Sequence, residues 1–443
     1  MQLRRSTELA DGAAEGKPRF GLPGRDRAAT LSVAHRAILI VAVAVGSVSA
    51  WHALAPSWRV PLPTSANRAE ERLQDFRDAL YFPIREFLAG GNPYDPATMF
   101  AHWPVRQDFN LYQPYHLLLH APFALAGYRT GAVAFTVLNL LLLCALAAVA
   151  AHAVRRFVPV PFATTAIVVA ALLVTSQVGK AQLYVGQINP LVALGAAGAL
   201  VARKDSPGWA SAALAFAWLK PQYGFPLAVL LFARGSRRVA VAGTAAAALA
   251  SLPVVLLLVV RGGGIGPFLD VVLRNLTHAQ ATDYGAVDSL TSQRIDVAAV
   301  VFRLTGWAPS GGELVVLAGV LVLSAVLVRR LDRAGAVPVA DLLTCLAVVV
   351  CVVHQPGDVL IAVPAMVAVA ARRRPHRDAV LLGVLALAVP FAHLHFVDSA
   401  VAAALGARAA VTLDGVAVVA AWCLVAFAAV RLTRARVPAG GTG

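Results

Sequence analysis

The chain has 443 residues, of which 59% are hydrophobic and only 14% are charged. A soluble domain has about 25% charged residues, so this composition excludes an ordinary soluble fold and favours one membrane domain. The net charge of +15 would suit nucleic-acid binding, but the basic runs lack the interleaved aromatic residues that stack on bases, which argues against nucleic acid as a partner.

The basic residues lie in short runs between apolar segments, as they do in the cytoplasmic loops of membrane proteins. These runs are Arg155-Arg156, Arg203-Lys204, Arg234 with Arg237-Arg238, Arg329-Arg330 and 372–374. Their alternation predicts a multi-pass protein with both termini in the cytoplasm. We expect residues 1–34 to form a disordered cytoplasmic tail, 35–432 the transmembrane domain and 433–443 a second cytoplasmic tail.

The apolar runs predict an all-α fold, because a helix satisfies its own backbone hydrogen bonds in lipid. We expect about twelve crossings, since each needs about 20 residues, with the short segments beside Lys220-Pro221 forming either two crossings or one broken hairpin. The predicted helices lie near 36–56, 130–153, 162–178, 187–202, 208–219, 222–233, 238–260, 312–330, 338–354, 357–371, 379–395 and 411–431.

Two long loops, about 57–129 and 261–311, are predicted to lie outside the membrane, and both contain amphipathic stretches suited to its interface. Loops on a rigid scaffold often carry the chemistry of a protein. The sequence contains no Walker phosphate loop, no His-Glu-x-x-His motif and no Rossmann glycine fingerprint. The four cysteines lie in apolar segments and are expected to be unpaired. We therefore expect neither a metal site nor a cofactor.

The first outer loop contains an amphipathic segment, 75–88, that ends at Gly90-Gly91-Asn92-Pro93. Its apolar residues recur at helical spacing, whereas Asp75 and Asp78 lie toward the polar side. The glycines and proline predict a turn that ends the helix. From the residues alone, a solvated helix at the membrane interface and a pair of functional acids both remain open.

Polar residues next recur at the outer ends of apolar segments. Tyr112-Gln113 precedes an apolar stretch, and Gln187 and Asn189 lie at the mouth of a helix, where an amide is costly unless it is bonded. A bond to a neighbouring helix would satisfy them equally well. Lys220, one of only four lysines, interrupts an apolar region, so its ammonium either holds a phosphate at a helix break or reaches the lipid headgroups.

Later in the chain, Arg294 lies in the second outer loop, and His354 and Asp358 lie between two predicted helices. A histidine and an aspartate at this spacing are expected to pair near the outer surface. Such a pair serves either structure or substrate binding.

Taken in order, several short motifs resemble glycosyltransferase family 87 over about residues 70–300. They are Asp75-Phe76 with Gly90-Gly91-Asn92-Pro93-Tyr94-Asp95, Tyr112-Gln113-Pro114, Gly186-Gln187-Ile188-Asn189, Leu219-Lys220-Pro221-Gln222 and Ser289-Leu290. The resemblance implies a C-type helical bundle and metal-independent, inverting glycosyl transfer at the outer face of the plasma membrane. It further implies a polyprenyl-phosphate-linked mannose or arabinofuranose as donor, and a glycolipid or cell-envelope glycan as acceptor.

The resemblance also assigns residues. The family places its essential aspartate in the first outer loop, where Asp75 lies, but the interval from Asp75 to Gly90 is slightly longer than in the family, so Asp78 competes for the role of general base. The remaining candidates bind the donor phosphate or the sugars. The predicted phosphate and donor-sugar ligands are Lys220, Gln222, Gln187, Asn189 and Arg294, and the further substrate-binding candidates are Tyr94, Tyr112, Gln113, His354 and Asp358. The region around His354 departs from the Trp and His-Tyr pattern usual in the family.

Two other functions compete with glycosyl transfer. A secondary transporter also has broken helices and polar groups at membrane depth, but the two halves of this sequence show no internal repeat. A lipid-linked glycan ligase would have a larger outer loop rich in arginine and histidine. The candidate polar residues gather toward the outer loops, which favours the transferase.

Overall fold

The computed structural model of the protein describes residues 33–291, 294–372, 377–393 and 395–434. The predicted tails lie almost entirely outside these residues, as do Ser292, Gln293 and part of the last basic run. Within the described residues all regular structure is helical and no strand occurs, which confirms the all-α prediction.

The α-helices are numbered in chain order. They are α1 (Val33–Trp58), α2 (Phe82–Leu88), α3 (Pro96–His102), α4 (His116–Leu119), α5 (Ala121–Leu125), α6 (Tyr128–Arg155), α7 (Phe162–Thr175), α8 (Gln177–Val185), α9 (Asn189–Ala202), α10 (Pro207–Ala217), α11 (Pro221–Ala233), α12 (Arg237–Arg261), α13 (Ile265–Gln280), α14 (Val297–Thr305), α15 (Gly312–Arg333), α16 (Val337–Cys351), α17 (Val363–Ala371), α18 (Arg377–Ala386), α19 (Ala388–Ala392), α20 (His395–Leu405), α21 (Ala407–Ala410) and α22 (Leu413–Arg434). A π-helix, Phe76–Tyr81, leads into α2, and 3₁₀ turns occur at Ser65–Asn67 and Pro356–Ala362.

Among the described residues, five helices are long and apolar enough to cross a membrane, namely α1, α6, α12, α15 and α22. Two bent helix pairs raise the number to seven if each pair makes one crossing. The other predicted positions hold shorter helices, and a straight crossing needs about 20 residues. A membrane protein is therefore confirmed, whereas the twelve crossings and the C-type arrangement remain predictions.

Three predicted helices have different bounds from those expected. The helix predicted at 162–178 breaks at Ser176, whose hydroxyl accepts a hydrogen bond from the Gly179 amide (3.1 Å) and starts α8, so that α7 and α8 meet at 64°. The helical segment predicted at 379–395 ends at Ala392, before the left-handed residue His393, and the next helix, α20, lies at 101° to it. The helix predicted at 187–202 begins only at Asn189, because the left-handed Gly186 ends α8 first.

The core centres on α16, whose residues from Leu342 to Cys351 are all buried. It packs against α11, α15, α17 and α22, while α9 packs against α6 and α10. The predicted break at Lys220-Pro221 is present, since α10 ends at Ala217 and α11 begins at Pro221. Because Pro221 lacks an amide hydrogen and disfavours helix in the residue before it, Lys220 adopts an extended conformation.

The first outer loop is packed into the protein. Five consecutive residues of its π-helix, Phe76 to Leu80, are buried, and Ile84 in α2 has no exposed surface. Phe76 stacks at an angle on Tyr128 and Phe135 of α6, with ring centroids 5.8 and 5.3 Å away. The solvated interfacial helix considered for this segment is therefore wrong, because its apolar side is covered by α5 and α6 and its polar side faces other protein groups.

Candidate active site

Asp75 is held at the start of the π-helix by an unusual backbone. Leu73, two residues before it, is buried and has a φ of +56°, a conformation that costs a branched side chain free energy and occurs mostly where surrounding contacts enforce it. Its amide donates to the Tyr184 carbonyl at the end of α8 (2.7 Å). The six-residue π-helix then follows, a form that is frequent at functional sites.

Gly186 brings this segment against the polar residues that precede α9. It has a φ of +71°, and a Cβ built on it would lie 2.8 Å from the Phe76 Cβ and 3.3 Å from the Phe76 amide nitrogen. Only glycine combines this conformation with so close an approach. As a result, Asp75 lies within hydrogen-bonding reach of the Gln187 side chain.

Asp75, Gln187, Asn189, Gln355 and Asp358 form one hydrogen-bonded group, which we call the polar cluster. Asp358 accepts from the Asn189 side chain (2.7 Å) and from the Gln355 amide (2.9 Å). Gln187 donates to the Gln355 side-chain oxygen (2.9 Å) and accepts from Asn189. Because amide side chains both donate and accept, the network fixes their orientation around Asp75.

Lys220 lies beside this cluster, is only 6% exposed and has its ammonium 5.5 Å from the centre of the Tyr112 ring. Within the described part of the chain no Asp or Glu forms an ion pair with it, although Asp75 is close enough for a substantial electrostatic interaction. A buried ammonium is normally paired. Lys220 is therefore a candidate to bind an anionic ligand.

Two aromatic rings complete this side of the site. The Tyr223 ring meets the His354 ring edge to face, with centroids 4.6 Å apart, and the Tyr223 hydroxyl hydrogen-bonds Asp358. The His354 Nδ1 bonds the Val352 carbonyl (2.9 Å), while its buried Nε2 has no partner in the described structure. His354 and Asp358 thus meet through Tyr223, whereas the sequence predicted a direct pair.

The Asp75 carboxyl has an unusual proton affinity. Its pKa is raised to about 6, because burial and the nearby carboxylates of Asp78 and Asp358 together outweigh the opposing effects of Lys220 and the Gln187 hydrogen bond. The side chain nevertheless remains partly accessible, because it lines a cavity. An acid with a pKa in this range is able to accept a proton near neutral pH.

The cavity at Asp75 has a volume of about 270 Å³. It lies between the first outer loop, α8, the turn that follows His354, and the N-terminal end of α22. Its described lining comprises Glu71, Gln74, Asp75, Gln177, Val178, Ala181, Gln182, Val185, Gln187, Tyr284, Gln355, Pro356, Gly357, Pro390, His393 and Asp414.

Asp78, the alternative base, has a different environment. Its carboxylate binds the Arg77 guanidinium through two contacts (2.6 and 3.1 Å) and accepts from the backbone amides of Arg106 (3.1 Å) and Gln107 (2.9 Å). Burial raises its pKa, while Arg77 and the two amides oppose that shift. Because its lone pairs are occupied, Asp78 holds the loop together, and Asp75 is the better candidate for a general base.

Arg294 is also engaged by protein groups. Its guanidinium binds Asp296 at 2.8 and 2.9 Å and Glu313 at 2.6 Å, and it donates to the Gly285 carbonyl. Asp296 in turn caps α14. These contacts tie the second outer loop to α14 and α15, and they leave Arg294 outside the polar cluster.

The remaining predicted residues surround the site. The Tyr94 hydroxyl donates to the Tyr112 carbonyl (3.0 Å). Tyr94 therefore helps to hold Tyr112, whose ring contacts the Lys220 ammonium. The backbone amide of Gln113 donates to the Leu219 carbonyl (3.0 Å) and so joins the first outer loop to the helix break. Gln222 lies half-buried in the first turn of α11, two residues after Lys220 in the chain.

Sequence reasoning missed several residues of the site. Gln355 directly follows His354 and Tyr223 directly follows Gln222, and the hydrogen-bonding capacity of their side chains could have identified them. Gln74, which directly precedes Asp75, could have been identified in the same way. His393 and Asp414 carry no motif and reach the cavity only through the packing of α19 and α22, so no local signal could have found them.

The fold and the site define a helical membrane protein with a carboxylate, a buried cation and amide groups gathered around a cavity. The model of glycosyltransferase family 87 matches residues 110–354. This stretch covers more than half of the chain, which belongs to that family and is a glycosyltransferase. No curated protein and no solved structure matches the chain significantly. The matched stretch includes Gln187, Asn189, Lys220 and His354 but not Asp75, whose assignment therefore depends on the geometry.

Proposed function

We propose that the protein transfers mannose or arabinofuranose from a polyprenyl phosphate to a hydroxyl group of a glycolipid or cell-envelope glycan, with inversion at the anomeric carbon. The observation that carries this proposal is the arrangement of Asp75, an accessible carboxylate with a raised pKa, beside Lys220, a buried cation without an acidic partner. The polar cluster surrounds the Asp75 carboxyl with hydrogen-bonding groups.

In the proposed reaction the acceptor oxygen attacks the anomeric carbon and forms the new glycosidic bond. The bond between that carbon and the phosphate oxygen breaks, and its electron pair leaves with the polyprenyl phosphate. Asp75 takes the proton of the acceptor hydroxyl as the attack proceeds. Since attack and departure occur on opposite faces of the sugar, the configuration at the anomeric carbon inverts.

Lys220 is proposed to stabilise the departing phosphate. Negative charge grows on this group as the bond breaks, and a cation already in position stabilises it without reorganisation at the moment of reaction. A phosphate monoester leaves readily without a proton, so the site needs a charge there more than a second acid. Gln187, Asn189 and Gln222 are proposed as donors to the phosphate or the donor sugar.

We further propose that the reaction takes place at the outer face of the plasma membrane, with both termini in the cytoplasm. The candidate site lies between the two loops predicted to be outside, and the basic runs lie in the alternate loops. Membership of a glycosyltransferase family supports this function over the secondary transporter. The proposed partners are the lipid-linked donor, the glycan acceptor and the bilayer.

The test is chemical. The purified protein in detergent would be supplied separately with polyprenyl-phosphate mannose and polyprenyl-phosphate arabinofuranose together with cell-envelope glycolipids, and free polyprenyl phosphate would be quantified. We expect one donor to be consumed and its sugar to appear on a glycolipid with inverted configuration. Consumption of neither donor, or a product that retains configuration, would contradict the proposal, and solute flux through empty proteoliposomes would support transport instead.

A further inference from the structure

We infer that the cavity beside Asp75 binds an uncharged sugar of the acceptor, and that it excludes the phosphate of the donor. This inference rests on the proposed function and deepens it, because it states which substrate enters from which side of the base. Its support comes from the charges and hydrogen-bonding groups of the cavity wall.

The cavity offers no free cation to a phosphate. No lysine or arginine belongs to its described lining, which contains three carboxylates, Glu71, Asp75 and Asp414. Two basic side chains at this wall are already engaged, since Arg106 pairs with Glu71 (3.2 Å) and the His393 ring contacts Asp414 and Asp398 (3.3 Å each). An anionic ligand would therefore be repelled, whereas a neutral ligand would not.

The same wall is rich in groups that bind hydroxyls. Four glutamines, at 74, 177, 182 and 355, and the Tyr284 hydroxyl line the cavity, and Gln187 lies where the cavity meets the polar cluster. A glutamine amide both donates and accepts, as a sugar hydroxyl does, so each is able to form a reciprocal contact. Gln74 and Tyr284 already bond one another weakly (3.4 Å), which places them to bind the same hydroxyl.

Position and size agree with an acceptor site. Asp75 lines the cavity and is electrostatically coupled to Lys220, which does not line it, so the proposed base adjoins both the acidic cavity and the cation. Inverting transfer requires this order, with the nucleophile on one side of the anomeric carbon and the leaving phosphate on the other. The volume of about 270 Å³ lies at the lower end of ligand pockets, roughly 300–1,000 Å³, and suits one sugar unit better than an oligosaccharide.

The experiment compares two variants of the full-length protein, Gln74→Ala and Tyr284→Phe, with the matched control Gln280→Ala. Gln280 is an exposed glutamine at the end of α13 that does not line the cavity. The probes are a panel of neutral alkyl glycosides and their 6-phosphate derivatives as acceptors. The readouts are the acceptor KM and, without acceptor, the KM of the lipid-linked donor for its slow hydrolysis by water.

Each cavity variant should raise the acceptor KM about 3- to 10-fold, which is the effect of losing one or two net hydrogen bonds. The donor KM should change less than twofold, the control should behave as the wild type, and the phosphorylated glycosides should be poor acceptors. A rise in donor KM, efficient transfer to the phosphorylated glycosides, or hydrolysis without transfer to any neutral glycoside would each overturn the inference. If the wild type consumes no lipid-linked donor even by hydrolysis, the proposed function fails first.

Discussion

Two groups of buried charge lie at opposite ends of helix α9, and they differ in how their charges are balanced. Just beyond its last residue, Arg203 and Arg234 each bind both Asp332 and Asp341, at distances of 2.7 to 3.3 Å. At its other end, Gln187 and Asn189 lie beside Lys220 and Asp75. Lys220 has no ion pair with an acid among the described residues. The 14 residues of α9 separate the two groups by about 20 Å.

We interpret this difference as one between charges that stabilise the fold and charges proposed to act on a substrate. A buried ion pair that satisfies itself holds helices together, and removal of one partner leaves an uncompensated charge. An unpaired buried cation opposite a carboxylate of raised pKa is unfavourable for folding and requires another purpose. Perturbing each group in turn should therefore give opposite results for activity and stability.

The largest effect is expected from Asp75→Asn, which preserves shape and removes the base. General-base catalysis contributes about 10²- to 10⁴-fold, so turnover should fall by that factor. The melting temperature should be unchanged or higher near neutral pH, because the asparagine does not bury a charge. Both quantities would be measured on the detergent-purified protein, and a variant that keeps more than half of the wild-type rate would disprove the role of Asp75.

Lys220→Met should have the next largest effect. The methionine retains an apolar side chain of similar length, while the charge opposite the leaving phosphate is lost, and a comparable loss elsewhere costs about 10²- to 10³-fold in kcat. The matched control is Lys180→Met, since Lys180 is exposed on α8. Steady-state kinetics should show a much lower kcat for Lys220→Met than for Lys180→Met. Equal kcat values for the two variants would contradict a role of Lys220 in the reaction.

Arg234→Met should reverse this pattern. It leaves Asp332 without one of its arginines, and breaking a buried pair costs about 3–5 kcal/mol of stability. Thermal unfolding should occur at a clearly lower temperature, while kcat per folded molecule should remain near that of the wild type. A strong fall in kcat without a loss of stability would show that the two charged groups do not divide the roles in this way.

The smallest expected effect is the pH dependence. Asp75 must be ionised to accept a proton, and its pKa is about 6, so kcat/KM should fall below pH 6 and be about tenfold lower at pH 5 than on the plateau. Because Lys220 lowers this pKa, the midpoint should move to higher pH in Lys220→Met. A pH profile that is flat between 5 and 7 would contradict the assignment of Asp75.

Several of these features were predictable from the sequence. Composition and apolar run lengths predict a helical membrane protein, and a proline after an isolated lysine predicts the break at Lys220. Motif order and resemblance predict the family. The sequence also names the residues that form most of the polar cluster, although it does not establish what they do.

What the sequence could not predict depends on partners that are distant along the chain. From the sequence alone Arg294 is a reasonable phosphate ligand, but in the structure Asp296 and Glu313 bind its guanidinium. Asp78 is likewise a reasonable base from the sequence, but in the structure Arg77 and two backbone amides occupy its carboxylate. Hydropathy locates apolar segments but not their bends, so the break at Ser176 and the bend near His393 were not predicted. Each depends on a cap or a backbone angle that average hydropathy does not contain.

A methyl group at position 186, as in Gly186→Ala, should inactivate the enzyme without removing any of its functional groups. The added carbon would lie 2.8 Å from the Phe76 Cβ, and Asp75, the residue before Phe76, would be displaced together with the loop. A Gly186→Ala protein that turns over normally would show instead that the loop yields at this contact. Because the clash is with the Phe76 Cβ, which every residue except glycine has, shortening the Phe76 side chain would not relieve it. Inactivity caused by displacement of the loop should come with a lower melting temperature, whereas Asp75→Asn, which removes only the carboxylate, should not lower it. The two measurements together would distinguish a displaced carboxylate from an absent one.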